Sequence, residues 1–429
     1  MNIKEFIEDH LGGSNIPSVH NGRFEKDSNG RMKIYYSGPY WDNKEVTAAV
    51  TALLEGKWLS SGQNVHHFEK AFSKKFKSES SLMVNSGSSA NLIMMAALKK
   101  YHGWKDGDEV IVSPVGFPTT IAPIVQNGLT PVFVDIETDT LNFDLIEVEK
   151  KITPKTVAVI LSPVLGNPPD MDMLVQICKL NGVKLVLDNC DSLGSKWNGK
   201  YLNEYACAAS CSFYPAHHIS TAEGGMVSGP KELIDLARSF AWWGRDCYCV
   251  GPANLLECGT CGKRFDKWLP GYEGDVDHKY IFTNMGYNVK PLDLQGAIGL
   301  VQLDKFEEIH ANRRKSQTAL GNILNKYEGM RVPKELPGAH TSWFGTPVIC
   351  DEAIKEKLVS HLEAYGIQTR PYFAGNILMH PGYKHLDTYS NYIEASKVLS
   401  TVFFIGASPH YNEDVFSYVQ EIMEKFNVK

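Results

Sequence analysis

The residues best suited to chemistry lie between two apolar runs. Residues 208–213 read as a short buried strand, and Tyr214-Pro215-Ala216-His217-His218 follows before Gly224-Gly225 turns the chain into the next apolar run. An imidazole titrates near neutrality, so a histidine on a loop at a strand end of an α/β fold is placed for proton transfer. A carboxylate occupies a similar place: residues 183–188 form a buried run ending in Asp188. Its ordinary role would be a cap or turn; its chemical role would be to hold a charged ring nitrogen. Ser86-Gly87-Ser88-Ser89 follows a strand candidate at 81–85 and opens a helical run. Such a turn offers main-chain N–H groups and a positive dipole end to a phosphate, a weak signal by itself. Phe117 follows the strand candidate at 108–113, where an aromatic residue by default only packs.

Nine cysteines are unevenly spread, four of them between Cys247 and Cys261. Cys247-x-Cys249 and Cys258-x-x-Cys261 lie in a Gly- and Pro-containing stretch able to wrap an ion, and closely spaced thiolates suit zinc or iron. Cys190 comes two residues after Asp188. Cys178, Cys207, Cys211 and Cys350 read as small core residues.

Elements that could position these groups are legible. With 429 residues the chain suggests about two to three domains. Hydrophobic content of 43% and charged content of 21% are those of a globular protein. A net charge of −6 disfavours a nucleic-acid partner. No apolar run is long enough for a membrane helix and the polar start lacks a signal peptide's core, so the expected location is cytoplasmic. Asp42 caps a helix that Gly56 ends, with Val46, Val50, Leu53 and Leu54 as its apolar stripe. Strands and helices alternate over 45–300, which predicts an α/β fold with a large, doubly wound, mostly parallel sheet. A long helical pattern over 292–327 leads to a smaller α+β unit. The expected organisation is an arm at 1–44, a large domain at 45–305 and a small C-terminal domain at 306–429.

The stretch around His217 resembles the vitamin B6 sugar aminotransferases of the DegT/DnrJ/EryC1/StrS family. Their pattern is Ser-Phe, any residue, Pro, any residue, Lys, then a Gly-Glu-Gly-Gly-like turn. The resemblance implies the type I (aspartate aminotransferase) fold of pyridoxal-phosphate-dependent transferases. Where that family tethers pyridoxal 5′-phosphate through Lys, this chain has His217, which cannot make the link. A His there marks the family's sugar 3-dehydrases, which bind pyridoxamine 5′-phosphate without a covalent bond. The resemblance makes His217 the catalytic base and Asp188 the partner of the pyridine nitrogen. It places Phe117 on the ring, and Gly87, Ser88, Ser89 and Ser212 around the cofactor and its phosphate. It also implies that Asn288 reaches the phosphate of a neighbouring subunit in a homodimer. Arg264 and Arg370 are candidates for the substrate diphosphate because Arg forks match phosphate oxygens; a solvated surface Arg is the equal alternative.

One subgroup is more similar still. Gly244-Arg245-Asp246-Cys247-Tyr248-Cys249, Cys261-Gly262-Lys263-Arg264-Phe265, Asp277-His278-Lys279-Tyr280 and Gly286-Tyr287-Asn288 resemble the CDP-4-keto-6-deoxyglucose 3-dehydrases, the RfbH-like lipopolysaccharide proteins. Resemblance extends from about residue 37 to residue 376. It implies a two-iron, two-sulfur cluster on Cys190, Cys247, Cys249 and Cys261. It also implies a nucleotide-sugar substrate and a flavin and iron–sulfur reductase as electron donor. The loop from Cys249 to Cys261 is longer than the subgroup's, and its extra thiol, Cys258, could replace Cys261. Three alternatives stay open: a colitose-type 3-dehydratase needing no reductase, a nucleotide-sugar aminotransferase, and a zinc-binding module on an inactive aminotransferase fold.

Overall fold

The computed structural model describes residues 5–6, 24, 26–56, 59–246, 264–265 and 269–426. Seven strands build the main sheet: β1 (Ser80–Val84), β2 (Glu109–Val112), β3 (Thr130–Phe133), β4 (Thr156–Leu161), β5 (Lys184–Asp188), β8 (Ala208–Ser212) and β9 (Gly225–Gly229). Between them, β6 (Lys196–Trp197) and β7 (Lys200–Tyr201) pair with β11 (Ala339–His340) in a separate small sheet. Strand order in the main sheet is β1-β9-β8-β5-β4-β2-β3. The β5–β8, β5–β4, β4–β2 and β2–β3 pairs are parallel, and only β9 runs against its two neighbours. The expected doubly wound, mostly parallel sheet is present.

Alternation along the strands explains why both faces are covered. Val110, Val112, Ala158, Ile160 and Val186 enter one core, with the helix Gly87–His102. Ile111, Val159, Leu161, Leu185 and Leu187 enter another, with the helix Met171–Leu180. A strand buried on both faces reads as a near-continuous apolar run, as residues 183–187 do. The same parity puts Asp188 and Ser210, register partners on β5 and β8, on the side of the helix Gly87–His102.

A second sheet follows: β10 (Met330–Arg331), β12 (Gly345–Cys350), β13 (Thr369–Pro371) and β14 (Val402–Gly406), ordered β10-β12-β14-β13 and wholly antiparallel. Its core includes Leu358 and Leu362 of the helix Glu352–Ala364 and Val415 and Val419 of the helix Glu413–Glu424. Met32 and Ile34, from the N-terminal stretch, join that core.

Two local expectations need correction. The pattern over 292–327 is two helices, Asp293–Asp304 and Phe306–Leu324, meeting at Lys305. Lys305 Nζ is held 2.8 Å from both Asp42 and Glu45, which ties the joint to the helix that Asp42 caps. That helix, Asn43–Glu55, is capped by Asp42 and ended by Gly56 as expected, but its apolar stripe is not its buried face. Glu45 and Ala52 are buried, whereas Leu53 and Leu54 are 49% and 67% exposed. The buried face instead carries Glu45, held by Lys305 and by the Gln302 amide at 2.7 Å. No helix among the described residues is long and apolar enough to cross a membrane.

Candidate active site

A cavity of about 370 Å³ opens at the carboxyl ends of β1, β4, β5 and β8, the position where open α/β sheets place ligands. Register creates it. Val84 and Ser212 both lie opposite Gly225, from either side, so the loop after β1 is brought beside the end of β8. A Cβ on Gly225 would stand 2.3 Å from Ser86 O, and one on Gly87 2.4 Å from Ser212 Cβ. Glycine is what allows these backbones to approach. Ser86 caps the helix Gly87–His102 by accepting the Ser89 N–H at 3.1 Å. Ser86, Gly87, Ser88 and Ser212 all line the cavity, so a helix N-terminus with small hydroxyl residues faces it.

Asp188 closes the cavity floor and is only 4% exposed. Its Oδ2 accepts the Thr120 hydroxyl at 2.6 Å and the Asn91 amide at 2.9 Å. Its Oδ1 accepts the Cys190 N–H at 3.2 Å. Ser210 braces the array by donating to Asn91 Oδ1 at 2.6 Å. Four elements therefore fix one carboxylate. Cys190 lines the wall beside it. Burial first, then the neighbouring Asp188, push its thiol well up, so without a metal it stays protonated.

His217 also lines the cavity. Its Nδ1 is buried without a hydrogen-bond partner and lies 3.7 Å from Asp191 Oδ1. Burial, then the Arg313 guanidinium, press the imidazole down to about 3. Burial, then the charge of Asp188, lift Asp191 to about 7. Both effects disfavour the charged forms in a dry site, which leaves a neutral imidazole beside a carboxyl group. His218 points elsewhere: it is 1% exposed and its Nε2 meets Ser342 O at 3.0 Å, a structural contact. Phe117, Phe344 and Phe373 supply the aromatic walls; Phe117 is 52% exposed and meets Phe373 edge-on at 6.0 Å.

The other candidates fall differently. Ser89 is absent from the lining; its N–H and hydroxyl are engaged with Ser86. Asn288 is exposed, away from this chain's cavity, and accepts from Lys290. Arg264 is paired with Asp277 at 3.0 Å and does not reach the cavity. Arg370 stacks 4.2 Å over the ring of Tyr36, which does line it. Cys247, Cys249, Cys258 and Cys261 lie outside the described residues, and no three potential metal ligands cluster among the described ones. Sequence reasoning passed over Asn91, Thr120, Asp191, Ser162, Phe344 and Phe373. Asn91 and Asp191 had a signal, since each sits within a few residues of a group already singled out. Phe344 and Phe373 had none, because they arrive from the second sheet's side of the molecule.

The chain is similar to known proteins over most of its length. The model of the DegT/DnrJ/EryC1/StrS aminotransferase family matches residues 41–424. The chain is 38% identical to a dTDP-4-dehydro-2,6-dideoxy-D-glucose 3-dehydratase of Saccharopolyspora spinosa, covering 93% of this chain and 88% of that protein. It is 35% identical to the lipopolysaccharide biosynthesis protein RfbH of Salmonella typhimurium, covering 91% of each. In structure it is similar to the E. coli GDP-4-keto-6-deoxy-D-mannose-3-dehydratase with bound hydrated PLP. The TM-score is 0.80 at 29% identity, over 91% of this chain and 99% of that one. The fold is thus that of the pyridoxal-phosphate-dependent sugar-modifying enzymes.

Proposed function

Because the chain belongs to the DegT/DnrJ/EryC1/StrS aminotransferase family, we propose that it is a pyridoxamine-phosphate-dependent 3-dehydrase of a nucleotide-linked 4-keto-6-deoxyhexose. Its place would be deoxysugar and O-antigen biosynthesis. One observation carries the reading: His217 lines the cavity, and no lysine does so among the described residues. The family's tethering group is replaced by a base.

The residues present fit the cofactor. A phosphate would be held by the helix start at Ser86-Gly87-Ser88 and by Ser212, where Gly87 leaves room that a Cβ would fill. Asp188 would hold the ring nitrogen, and Phe117 would cover the ring. When bound, this cofactor supplies an amine that condenses with the 4-keto group and a ring that accepts electrons.

The chain's own groups would then do the following. Asp188, fixed by Thr120 and Asn91, keeps the ring oriented. His217, neutral in the buried site, would accept a proton, and Asp191, 3.7 Å from its Nδ1, would steady the imidazolium in its carboxylate form, which it takes above about 7. The imidazolium returns that proton to the departing C3 hydroxyl, which leaves as water. Phe344 and Phe373 exclude solvent. Arg370, stacked over Tyr36 of the cavity lining, would meet the substrate diphosphate.

The reading extends to a two-iron, two-sulfur cluster on Cys190, Cys247, Cys249 and Cys261, with Cys258 able to stand in for Cys261. Cys190 supports it by lining the cavity wall next to Asp188. The other three candidate ligands, Cys247, Cys249 and Cys261, lie outside the described residues. A flavin and iron–sulfur reductase is the matching donor of the two electrons that 3-deoxygenation consumes. A homodimer is part of the reading: Leu53, Leu54, Phe282 and Met285 expose 49%, 67%, 53% and 95% of their surface, apolar area that a partner subunit would cover. Asn288, exposed three residues after Met285, would serve the partner's cofactor phosphate.

The test is an absorption spectrum of anaerobically purified protein, followed by incubation with CDP-, dTDP- and GDP-linked 4-keto-6-deoxyhexoses. Expected are iron–sulfur bands, a pyridoxamine signal that borohydride cannot fix to the protein, and loss of one water from a substrate. A colourless protein that dehydrates without a reductase would favour the colitose-type alternative, which the solved dehydratase structure keeps in view. Amine transfer without dehydration would overturn the proposal.

A further inference from the structure

Arg313, on the helix Phe306–Leu324, is 1% exposed and has no carboxylate within 4.0 Å among the described residues. Its two terminal nitrogens donate to carbonyl oxygens alone, and its buried Nε has no partner among the described residues. Nη2 donates to Ala216 O and His217 O, both at 3.0 Å. Nη1 donates to Phe344 O at 2.9 Å and more weakly to Trp343 O at 3.5 Å. The first pair belongs to the turn bearing the base, and the second to the segment entering β12. One turn earlier on the same helix, His310 Nδ1 meets Ser342 Oγ at 2.8 Å, so this helix face grips residues 342–344 at two points.

Asp191 acts on it only at longer range; a buried cation without a direct ion pair is expensive, and an apolar side chain of similar size in its place is often neutral or stabilising. Packing alone therefore does not account for an arginine here. Its geometry does. Successive carbonyls at 216 and 217 are both turned onto one nitrogen of Arg313, which is not part of the cavity lining, and the His217 ring lines the cavity. The Phe344 ring, whose own carbonyl is held by the other nitrogen, lies 5.1 Å from the His217 ring. A single fork thus sets both the turn and the aromatic wall against which the imidazole rests.

We infer that Arg313 is the positioning residue for His217, fixing the base through the main-chain carbonyls of its turn. This rests on the proposed dehydrase reading, in which His217 is the base. An error of about 1 Å in a reacting group can cost on the order of 100-fold in rate. Arg313→Met would leave Ala216 O with the Ser37 hydroxyl at 2.8 Å but strip His217 O of its side-chain donor.

The experiment compares wild type, Arg313→Met, Arg313→Lys, His217→Asn and the Arg313→Met/His217→Asn double variant. Wild-type dehydration is measured first; if it is absent, the dehydrase reading fails and Arg313 is not in question. Given wild-type activity, Arg313→Met is expected to lower kcat by about 100-fold with little change in KM, and Arg313→Lys to recover part of it. Main-chain amides over 214–221 should exchange with solvent faster in Arg313→Met, measured without sugar. In the His217→Asn background, Arg313→Met should cost no further rate, because residues acting as a unit are non-additive. An unchanged kcat with unchanged exchange, or a full additional loss in the double variant, would overturn the inference. Should Arg313→Met not fold, Arg313→Lys alone decides: wild-type kcat with wild-type exchange rejects the assignment, and a lowered kcat with faster exchange supports it.

Discussion

Thr120 Oγ1 stands 2.6 Å from Asp188 Oδ2. The hydroxyl comes from the helix Pro118–Gln126, and the carboxylate ends β5. The two residues are 68 positions apart in sequence, and their meeting makes a mobile acid into a fixed one. Thr120→Val should leave this buried oxygen with one donor fewer. A loss of about 1–3 kcal/mol in urea unfolding is expected, together with weaker pyridoxamine phosphate binding in an absorbance titration. If neither changes, the hydroxyl does not hold the carboxylate.

Gly87 and Ser212 touch so closely that a Cβ on the former would lie 2.4 Å from the Cβ of the latter. Gly87→Ala should overpack the phosphate end, costing about 1–3 kcal/mol and reducing cofactor affinity. Adding Ser212→Gly should restore stability, because it removes the opposing atom. Melting curves of the single and double variants check this; a double variant no better than Gly87→Ala would refute the contact.

His217 invites a two-way replacement. His217→Asn should retain non-covalent cofactor and lose about 100- to 10,000-fold in dehydration rate. His217→Lys should restore a tether, so that borohydride fixes the cofactor to the chain, as mass spectrometry would show. Failure of the lysine to trap any cofactor would mean that position 217 does not face the reactive carbon.

Acid stability should report on His310. Burial first, then the charges of His340 and Arg314, hold its imidazole down to about 4. An unfolded histidine titrates near 6.5, so between those values the unfolded chain binds more protons and stability rises with pH. The contribution is complete above about pH 6.5 and is lost as pH falls toward 4. His310→Asn should flatten the dependence of urea midpoint on pH between about 6.5 and 5. Parallel curves for the two proteins would remove His310 from the account.

The apolar surface predicts assembly. Leu54→Glu and Met285→Glu place charge on residues 67% and 95% exposed in one chain. On a bare surface each should matter little, but in an interface each should shift the sedimentation coefficient from dimer toward monomer. Unchanged sedimentation would put the interface elsewhere.

Residues 183–188 and 208–212 announced buried strands by their own composition, because a strand covered on both faces is mostly apolar or small. Asp42 and Gly56 marked one helix's ends through local backbone chemistry. His217, Asp188 and the Ser86-Gly87-Ser88 turn were visible for the same reason: each follows an element whose end is written nearby in the chain. What tertiary structure decided was partnership. Alternation says which face a residue takes but not which strand lies beside it, so Thr120 and Asn91 meeting Asp188 depended on the order β8-β5-β4-β2. Leu53 and Leu54 looked like a core stripe until Lys305 reached Glu45 from a helix 260 residues away. Arg313 and His217, 96 positions apart, share a hydrogen bond that no local pattern encodes. Local sequence determined where the chemical groups could stand; long-range packing, by choosing their neighbours, decided what those groups can do.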